Sequence, residues 1–499
     1  MNERQRPGKT ARLAFVFFVL FLLTQLLAAV HVFFSNAALH DTLKAVHQAG
    51  YLTVPNMQVA RHLDAWSSAF NGGLFFSCTA GIALIILCLV LYRFWILFGR
   101  KKAILAGYVL IWAGSILFVN TNGLSSLITI YLISVPVIGF LLLERLQSFQ
   151  NTRPAKTYIW LHTAFFVLFC AGCASQIQVE KFLDIRDFLF LDNPLGRKLN
   201  AFYYDNSLYS ANYFKSFSQK LIKTCDLRTI PDQRLNRRVT VLLSWFDYLA
   251  LPSPTKTDLQ VTIQEKTVNL LHNRKVIVTA PIENFLQSPR QYIDLFQAQT
   301  DRHSNFRIFT MVSLLFAGTV LLYAILFLLP LFISQKFMPP ALAVGSAGLL
   351  CFLALFMLLT EDGRQAPQTS PDAIAGALRS QNAIHRIRAL RSIVDQKMDI
   401  TTFAEFKSLS TQGTIPERYW VAKALAVSHS PIGRQTVLQL LHDRHFNVVC
   451  MALYSLGKQG RKTDRQIIID IINTSENWYV QWYAYRALKN LGWHQTVLN

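Results

Sequence analysis

Hydrophobic positions in this chain fall in long unbroken blocks, and those blocks predict most of its elements. Phe309–Ile333 is 25 residues without a charge, enough to cross a hydrocarbon core of about 30 Å as a helix. Comparable blocks occupy 13–34, 71–92, 103–119, 124–143, 158–177 and 341–359, so the pattern predicts seven membrane-spanning helices. Residues 35–70 are a polar connection holding one or two short helices. Asn120, Thr121, Asn122 and Gly123 make a tight turn between the third and fourth blocks.

The basic residues then orient the helices. Arg4, Arg6, Lys9 and Arg12 precede the first block, Arg93, Arg100, Lys101 and Lys102 follow the second, and Arg145, Arg153 and Lys156 precede the fifth. All fall on one side of a seven-helix path, as cytoplasmic loops require. The first block is too long for a signal-peptide core and lacks a convincing cleavage site, so it reads as an uncleaved helix. The expected domains are a five-helix membrane region (1–177), an external domain (178–305), a two-helix hairpin (306–360) and a C-terminal region (371–499). The N-terminus is cytoplasmic in this reading, and both polar regions are external, in the periplasm of a bacterial inner-membrane protein. Glu361 and Asp362, after the last block, fit the outer side.

Within 178–305 the pattern changes. Pro194 and Gly196 punctuate before a helix predicted over Tyr213–Lys223. Val239–Phe246, Leu259–Gln264 and Thr267–Ala280 carry β-branched residues and partial alternation; the last reads as a hairpin turning at Asn273 and Arg274. The result is a small α+β domain.

From Pro371 onward the period is helical and it repeats. Ala389, Val421, Ala452 and Ala484 are spaced 32, 31 and 32 apart; each is followed three residues later by Ser392, Ala424, Ser455 or Ala487, and one further by Ile393, Leu425, Leu456 or Leu488. Such spacing lines small and large residues on one helix face, where the small ones admit a neighbouring helix. Second helices fall between, at TTFAEFKSL, GRQTVLQLL and DRQIIIDII. On these residues the segment resembles HEAT repeats, in particular the short type named after phycobilisome lyases. Asp443, Val448, Ala452, Ser455, Leu456 and Gly457 match that pattern, as do Val480, Ala484, Ala487 and Leu488. The resemblance implies an α-solenoid, in which each unit buries its apolar face against its neighbours. The arginine usual in such units is present as Arg386 and Arg418 but replaced by Val449 and Gln481. With its closing block, residues 477–493, the whole chain also resembles bacterial membrane proteins that end in such repeats. The overall fold class is therefore mainly α: a polytopic helical membrane protein carrying an α+β domain and a HEAT-type solenoid.

Composition sharpens this picture. The chain has 52% hydrophobic and only 15% charged residues, below the quarter or so typical of soluble proteins. Its net charge of +21 is spread along the chain, which points to anionic lipid rather than nucleic acid. Trp478, Tyr479, Trp482 and Tyr483 crowd one helix, and with Trp420 they are the candidate partner-binding residues, because Trp and Tyr dominate such sites. The alternative is a helix packed on the last repeat or on the other polar domain. Cys170 and Cys173 form a CxxC in the fifth block, a redox pair or simply small packing residues. Cys225 and Cys450 could pair only if the fold brings them together.

No charged residue lies inside the seven blocks, which argues against ion transport. His31 and His162 sit at opposite ends of their helices, so an intrachain haem pair is not expected. His442, Asp443 and His445 are the nearest approach to a metal cluster. Nucleotide-binding, zinc-protease and nucleophile-elbow motifs are missing. No catalytic residue, metal or cofactor is expected. The leading expectation is a non-enzymatic envelope scaffold that docks protein partners. The alternatives are a subunit of an envelope complex handling redox, lipid or polymer substrates, or a transporter.

Overall fold

The computed structural model describes residues 9–147, 156–175, 179–252, 256–360 and 370–495. Arg4, Arg6, Arg153, Glu361 and Asp362, and the side chain of His162, lie outside the described residues. The chain is mainly helical and divides into two compact units. One comprises Met1–Val32, Ala69–Phe182 and Arg302–Ala366; the other comprises Phe33–Ser68, Leu183–Asp301 and Pro367–Asn499.

Among the described residues five helices are long and apolar enough to cross a membrane: Arg12–Gln48, Trp66–Leu97, Lys102–Asn120, Ser126–Leu146 and Ser304–Ser334. Two shorter apolar stretches, Ala164–Ala174 and Leu342–Ala354, sit inside the helices Lys156–Ser175 and Pro340–Thr360. Helices of this kind make the chain a membrane protein whose apolar surface is suited to lipid. The first helix runs past the expected end at Phe34 to Gln48. Residues 37–48 offer helix formers with no glycine or proline, and the stop comes at Gly50, where φ is +78°.

In the apolar unit small residues set the helix spacing. A Cβ on Gly73 would stand 2.9 Å from the Ala29 nitrogen, and one on Gly139 would stand 2.8 Å from Cys88 Sγ. Helices in lipid gain little from apolar burial, so close packing of this sort holds them together. Polar links reinforce it: Gln25 Nε2 donates to the Phe70 carbonyl at 2.8 Å, and the Tyr131 hydroxyl donates to the Thr24 carbonyl.

The second unit contains a five-stranded sheet of β1 (Lys223–Asp226), β2 (Tyr248–Ala250), β3 (Leu259–Gln264), β4 (Thr267–His272) and β5 (Lys275–Pro281) in the order β2-β1-β3-β4-β5. β1 is parallel to β2 and β3, and β3, β4 and β5 are antiparallel neighbours. The hairpin turns at Asn273 and Arg274, both with positive φ, as a two-residue hairpin turn requires. Two expectations are corrected. Tyr213–Lys223 is not a helix: the helix is Pro194–Phe214, capped by the Asn193 side chain with Pro194 in its first turn, and Lys223 opens β1. Val239–Phe246 is not a strand: Gln233–Ser244 is a helix capped by Asp232. Leu235, Val239, Leu242 and Phe246 recur at helical spacing, and that period outweighs the β-branched run at 239–241.

The C-terminal segment forms four helix pairs: Pro371–Leu378 with Ala383–Asp395, Phe406–Gln412 with Ile415–Ala424, Pro431–Leu440 with Phe446–Gln459, and Arg465–Thr474 with Trp478–Asn490. The second helix of each pair packs on the second helix of the next. Ala389, Val421, Ala452 and Ala484 are all fully buried, as are Ile393, Leu425, Leu456 and Leu488. Small residues let the helices close up: a Cβ on Gly457 would meet Ala487 Cα at 2.7 Å, and Ser455 Oγ donates to the Ala422 carbonyl at 2.5 Å. Ion pairs join successive helix pairs, Arg386 to Glu417 at 2.6 Å, Arg418 to Asp443 at 2.7 Å and Arg434 to Asp464 at 2.5 Å. Cys225 and Cys450 are buried in separate cores, the first in the sheet and the second in the helix pairs.

A distant segment covers the last pair. Leu52 and Val54 join the core of the helix pairs, and the Gln495 side chain bonds both the N–H and the carbonyl of Leu52, at 2.9 and 3.0 Å. Asn56 Nδ2 donates to the carbonyls of Ile472, Asn473 and Ser475 at 2.9 to 3.1 Å, where the Arg465–Thr474 helix ends, and the Ser475 carbonyl also accepts from Gln481 Nε2 at 2.6 Å. The Asn56 N–H donates to the fully buried Gln481 at 2.8 Å. Gln481 thus holds this segment. Replacing Asn56 with alanine is expected to cost about 2 kcal/mol through the carbonyls it leaves unsatisfied. Amide exchange across 471–481 measures this, and unchanged protection there would show that the segment does not hold the last pair.

Candidate interaction surface

The candidate aromatics lie on the second helices of the pairs, and the structure shows what they face. Ile185–Asp192 and the Pro194–Phe214 helix run along these helices. Leu183 and Phe188 supply apolar contacts to the same core.

Asp187 is the centre of the arrangement. Its side chain is fully buried, and its carboxylate accepts from Arg391 Nη2 at 2.5 Å, Arg186 Nε at 2.8 Å and Trp420 Nε1 at 2.7 Å. Arg391 reaches Asp184 as well, at 2.6 Å. Arg186 lies 4.2 Å above the Tyr419 ring and donates to its hydroxyl at 2.9 Å. The Trp420 ring faces three cations, Arg186, Arg391 and Lys423, at 5.2, 5.4 and 4.7 Å. A buried carboxylate is tolerated only when paired and hydrogen-bonded in this way. Trp420 is accordingly an internal anchor, 2% exposed.

Further along, Asn200 Nδ2 donates to Asn447 Oδ1 at 3.2 Å. The Tyr204 ring packs on Tyr479 at 4.4 Å and on Phe446 at 5.3 Å. Trp478 Nε1 donates to the Tyr204 carbonyl at 2.5 Å, with Lys215 Nζ 5.5 Å from its ring. Trp478 and Tyr479 are therefore taken up by the chain's own 183–214 segment. Burial pushes the phenols of Tyr204, Tyr479 and Tyr483 up, so all three stay neutral donors at neutral pH. Trp482 and Tyr483 stay half-buried; Trp482 stacks on Tyr479 at 5.8 Å under Arg486 at 4.5 Å.

The outward face of the Pro194–Phe214 helix carries Leu195, Leu199, Phe202 and Tyr203, all exposed, between 45 and 68%. Their spacing of four, three and one places them in a single stripe. Tyr203 touches Tyr204 at 5.2 Å, so ring contacts run from this stripe through Tyr204 and Tyr479 to Trp482 and Tyr483.

The remaining candidates fall elsewhere. Cys170 and Cys173 are free, half-buried thiols in the Lys156–Ser175 helix, Cys173 against the cluster of Phe169, Tyr323 and Cys351. Asp443 is engaged by Arg418 and by the His445 N–H at 2.8 Å. His445 caps the Phe446–Gln459 helix, and burial pushes its imidazole down to about 4 against the opposing pull of Asp443. Among the described residues no three His, Cys, Asp or Glu side chains are placed to hold a metal.

Asp184, Arg186, Asp187, Arg391 and Tyr204 were not singled out by the sequence. Asp184 and Asp187 inside the apolar run FLDIRDFLFL are the one available signal, and their partner Arg391 lies more than 200 positions away. Exchanging Asp187 for asparagine would leave Arg391 and Arg186 undercompensated in the interior. The expected loss is about 3 to 5 kcal/mol, read as faster limited proteolysis within 183–214 of the purified chain; unchanged cleavage would show that the ion cluster does not fasten this segment. In comparison with known proteins, the chain matches no family model, no curated protein and no solved structure.

Proposed function

We propose that the chain is a multi-pass envelope membrane protein whose polar unit, built on a HEAT-type solenoid, docks a protein partner without itself being an enzyme. The stripe of Leu195, Leu199, Phe202 and Tyr203, continuous with Trp482 and Tyr483, carries this reading. Exposed apolar stripes joined to aromatics are uncommon on surfaces that face only water. The repeated burial at Ala389, Val421, Ala452 and Ala484 and the ion pairs that join successive helix pairs support the solenoid assignment. Because its second helices are lined by residues 183–214, the partner surface consists of that helix's outward stripe and the open edge at Trp482.

The make-up of this unit supports seven crossings. Residues 33–68, 183–301 and 367–499 belong together, so an even number of crossings must separate each from the next. Four helices between the first two and two between the last two satisfy this, which requires Lys156–Ser175 and Pro340–Thr360 to span alongside the five longer helices. With the N-terminus cytoplasmic by its basic residues, the polar unit is external. Alkaline phosphatase fused after Asp258 and, separately, after Gln495 should be active in both; activity at one site alone would break the parity and remove the seven-helix arrangement.

The docking reading is tested by a photo-crosslinking residue at Leu199 or Phe202 in growing cells. A discrete protein adduct, lost when Phe202→Asp is introduced beside a crosslinker at Leu199, is the expected result. Labelling of lipid only, or of nothing, would sink the docking proposal.

A further inference from the structure

Between the helices Ile82–Leu97, Lys102–Asn120 and Ser126–Gln147 of the apolar unit lies a cavity of about 210 Å³. Its walls include Leu91, Phe94, Ile104, Leu105, Ile111 and Phe140. Gly107 also borders it, and a Cβ built there meets nothing within 4 Å. An engineered apolar cavity of roughly 150 Å³ already takes up benzene, and this one is larger and sits among helices suited to lipid.

One side of the cavity is polar. Trp95 lines it, and Trp95 Nε1 is buried without a hydrogen-bond partner. Such a donor is costly to leave unsatisfied in an apolar surround. The Arg100 guanidinium lies 5.4 Å from the Trp95 ring and 3.3 Å from Glu144, which also accepts from the Tyr92 hydroxyl at 2.8 Å. Gly99 and Arg100 both have positive φ, and Lys101 and Lys102 follow Arg100 in the chain. Arg93, Lys101, Lys102 and Arg145 are exposed. Arg100, Lys101 and Lys102 are consecutive, so the end of the cavity at Trp95 carries three cations beside the carboxylate of Glu144.

We infer that this cavity binds one acyl chain of an anionic phospholipid, with the lipid phosphate at the rim. The methylenes fill the apolar space. The phosphate oxygens accept from Trp95 Nε1 and pair with Arg100, Lys101 and Lys102. A zwitterionic lipid offers the same chain and phosphate, but its own cation opposes the rim. Each basic group near an anionic headgroup is worth roughly fivefold in affinity, so the site discriminates by headgroup charge. This assignment does not depend on the docking proposal, since all its residues lie in the apolar unit.

The test is native mass spectrometry of the full chain in neutral detergent, with phosphatidylglycerol and phosphatidylcholine of identical acyl chains at equal concentration. One phosphatidylglycerol should be retained at least tenfold over phosphatidylcholine. Gly107→Leu places a side chain in the cavity and should abolish retention. Lys101→Gln with Lys102→Gln alters exposed side chains only, and should keep a bound lipid while removing most of the headgroup preference, since two basic groups together account for roughly 25-fold. Equal retention of the two lipids, undiminished retention by Gly107→Leu, or a lipid-free dimer in which a second copy covers the cleft would each overturn the assignment. If Gly107→Leu does not fold, the lysine pair decides.

Discussion

The carboxylate of Asp187 has no contact with water, and the second helices of the pairs are arranged around that fact. Two arginines and an indole N–H meet it, and the same arginines lie against the rings of Tyr419 and Trp420. Removing one member of such a cluster strands the others, whereas replacing all of them with apolar groups would be far less disruptive. The cluster thus fixes where the 183–214 segment lies more than it adds to net stability. Asn200, Tyr204 and Lys215 then fall into register with Asn447, Tyr479 and Trp478.

The two units are held by different forces. In the polar unit, apolar burial drives the packing, and the fully buried positions at intervals of 31 and 32 are its record. In the apolar unit, lipid is as good a solvent for leucine as another leucine is, so helices meet where glycine allows backbones to touch, at Gly73 on Ala29 and at Gly139 beside Cys88 and Leu20. Where no such fit exists, between Gly107 and Phe140, a gap remains.

Local signals in the sequence decide the structure where one force dominates. The apolar blocks appear as helices, the hairpin at Asn273 and Arg274 turns where expected, and the repeat positions Ala389 to Ala484 are buried. The misreadings at 213–223 and 239–246 arose where side-chain preference and period disagreed, and there a cap at Asn193 or Asp232 and an amphipathic period decided the outcome. The first helix ran long because nothing before Gly50 stops it. The surroundings of the aromatic cluster were not legible. Trp420, Trp478 and Tyr479 look alike in sequence whether they await a partner or already have one, and their covering residues come from elsewhere in the chain. The cavity beside Trp95 was equally hidden, since an empty space leaves no mark on residue order.

The segment at Leu52–Asn56 carries a consequence for how the molecule is made. Its partners Gln481 and Gln495 lie 425 and 443 positions later. At ribosomal rates of about 5 to 20 residues per second, Leu52 and Val54 wait roughly 20 to 90 s before their cover exists. Throughout that interval the nascent chain presents an uncovered apolar stretch, the kind of surface that holding chaperones recognise. A product that stops short of Gln481 never hides it. The Arg465–Asn490 pair therefore sets when residues 52–56 can be covered during synthesis.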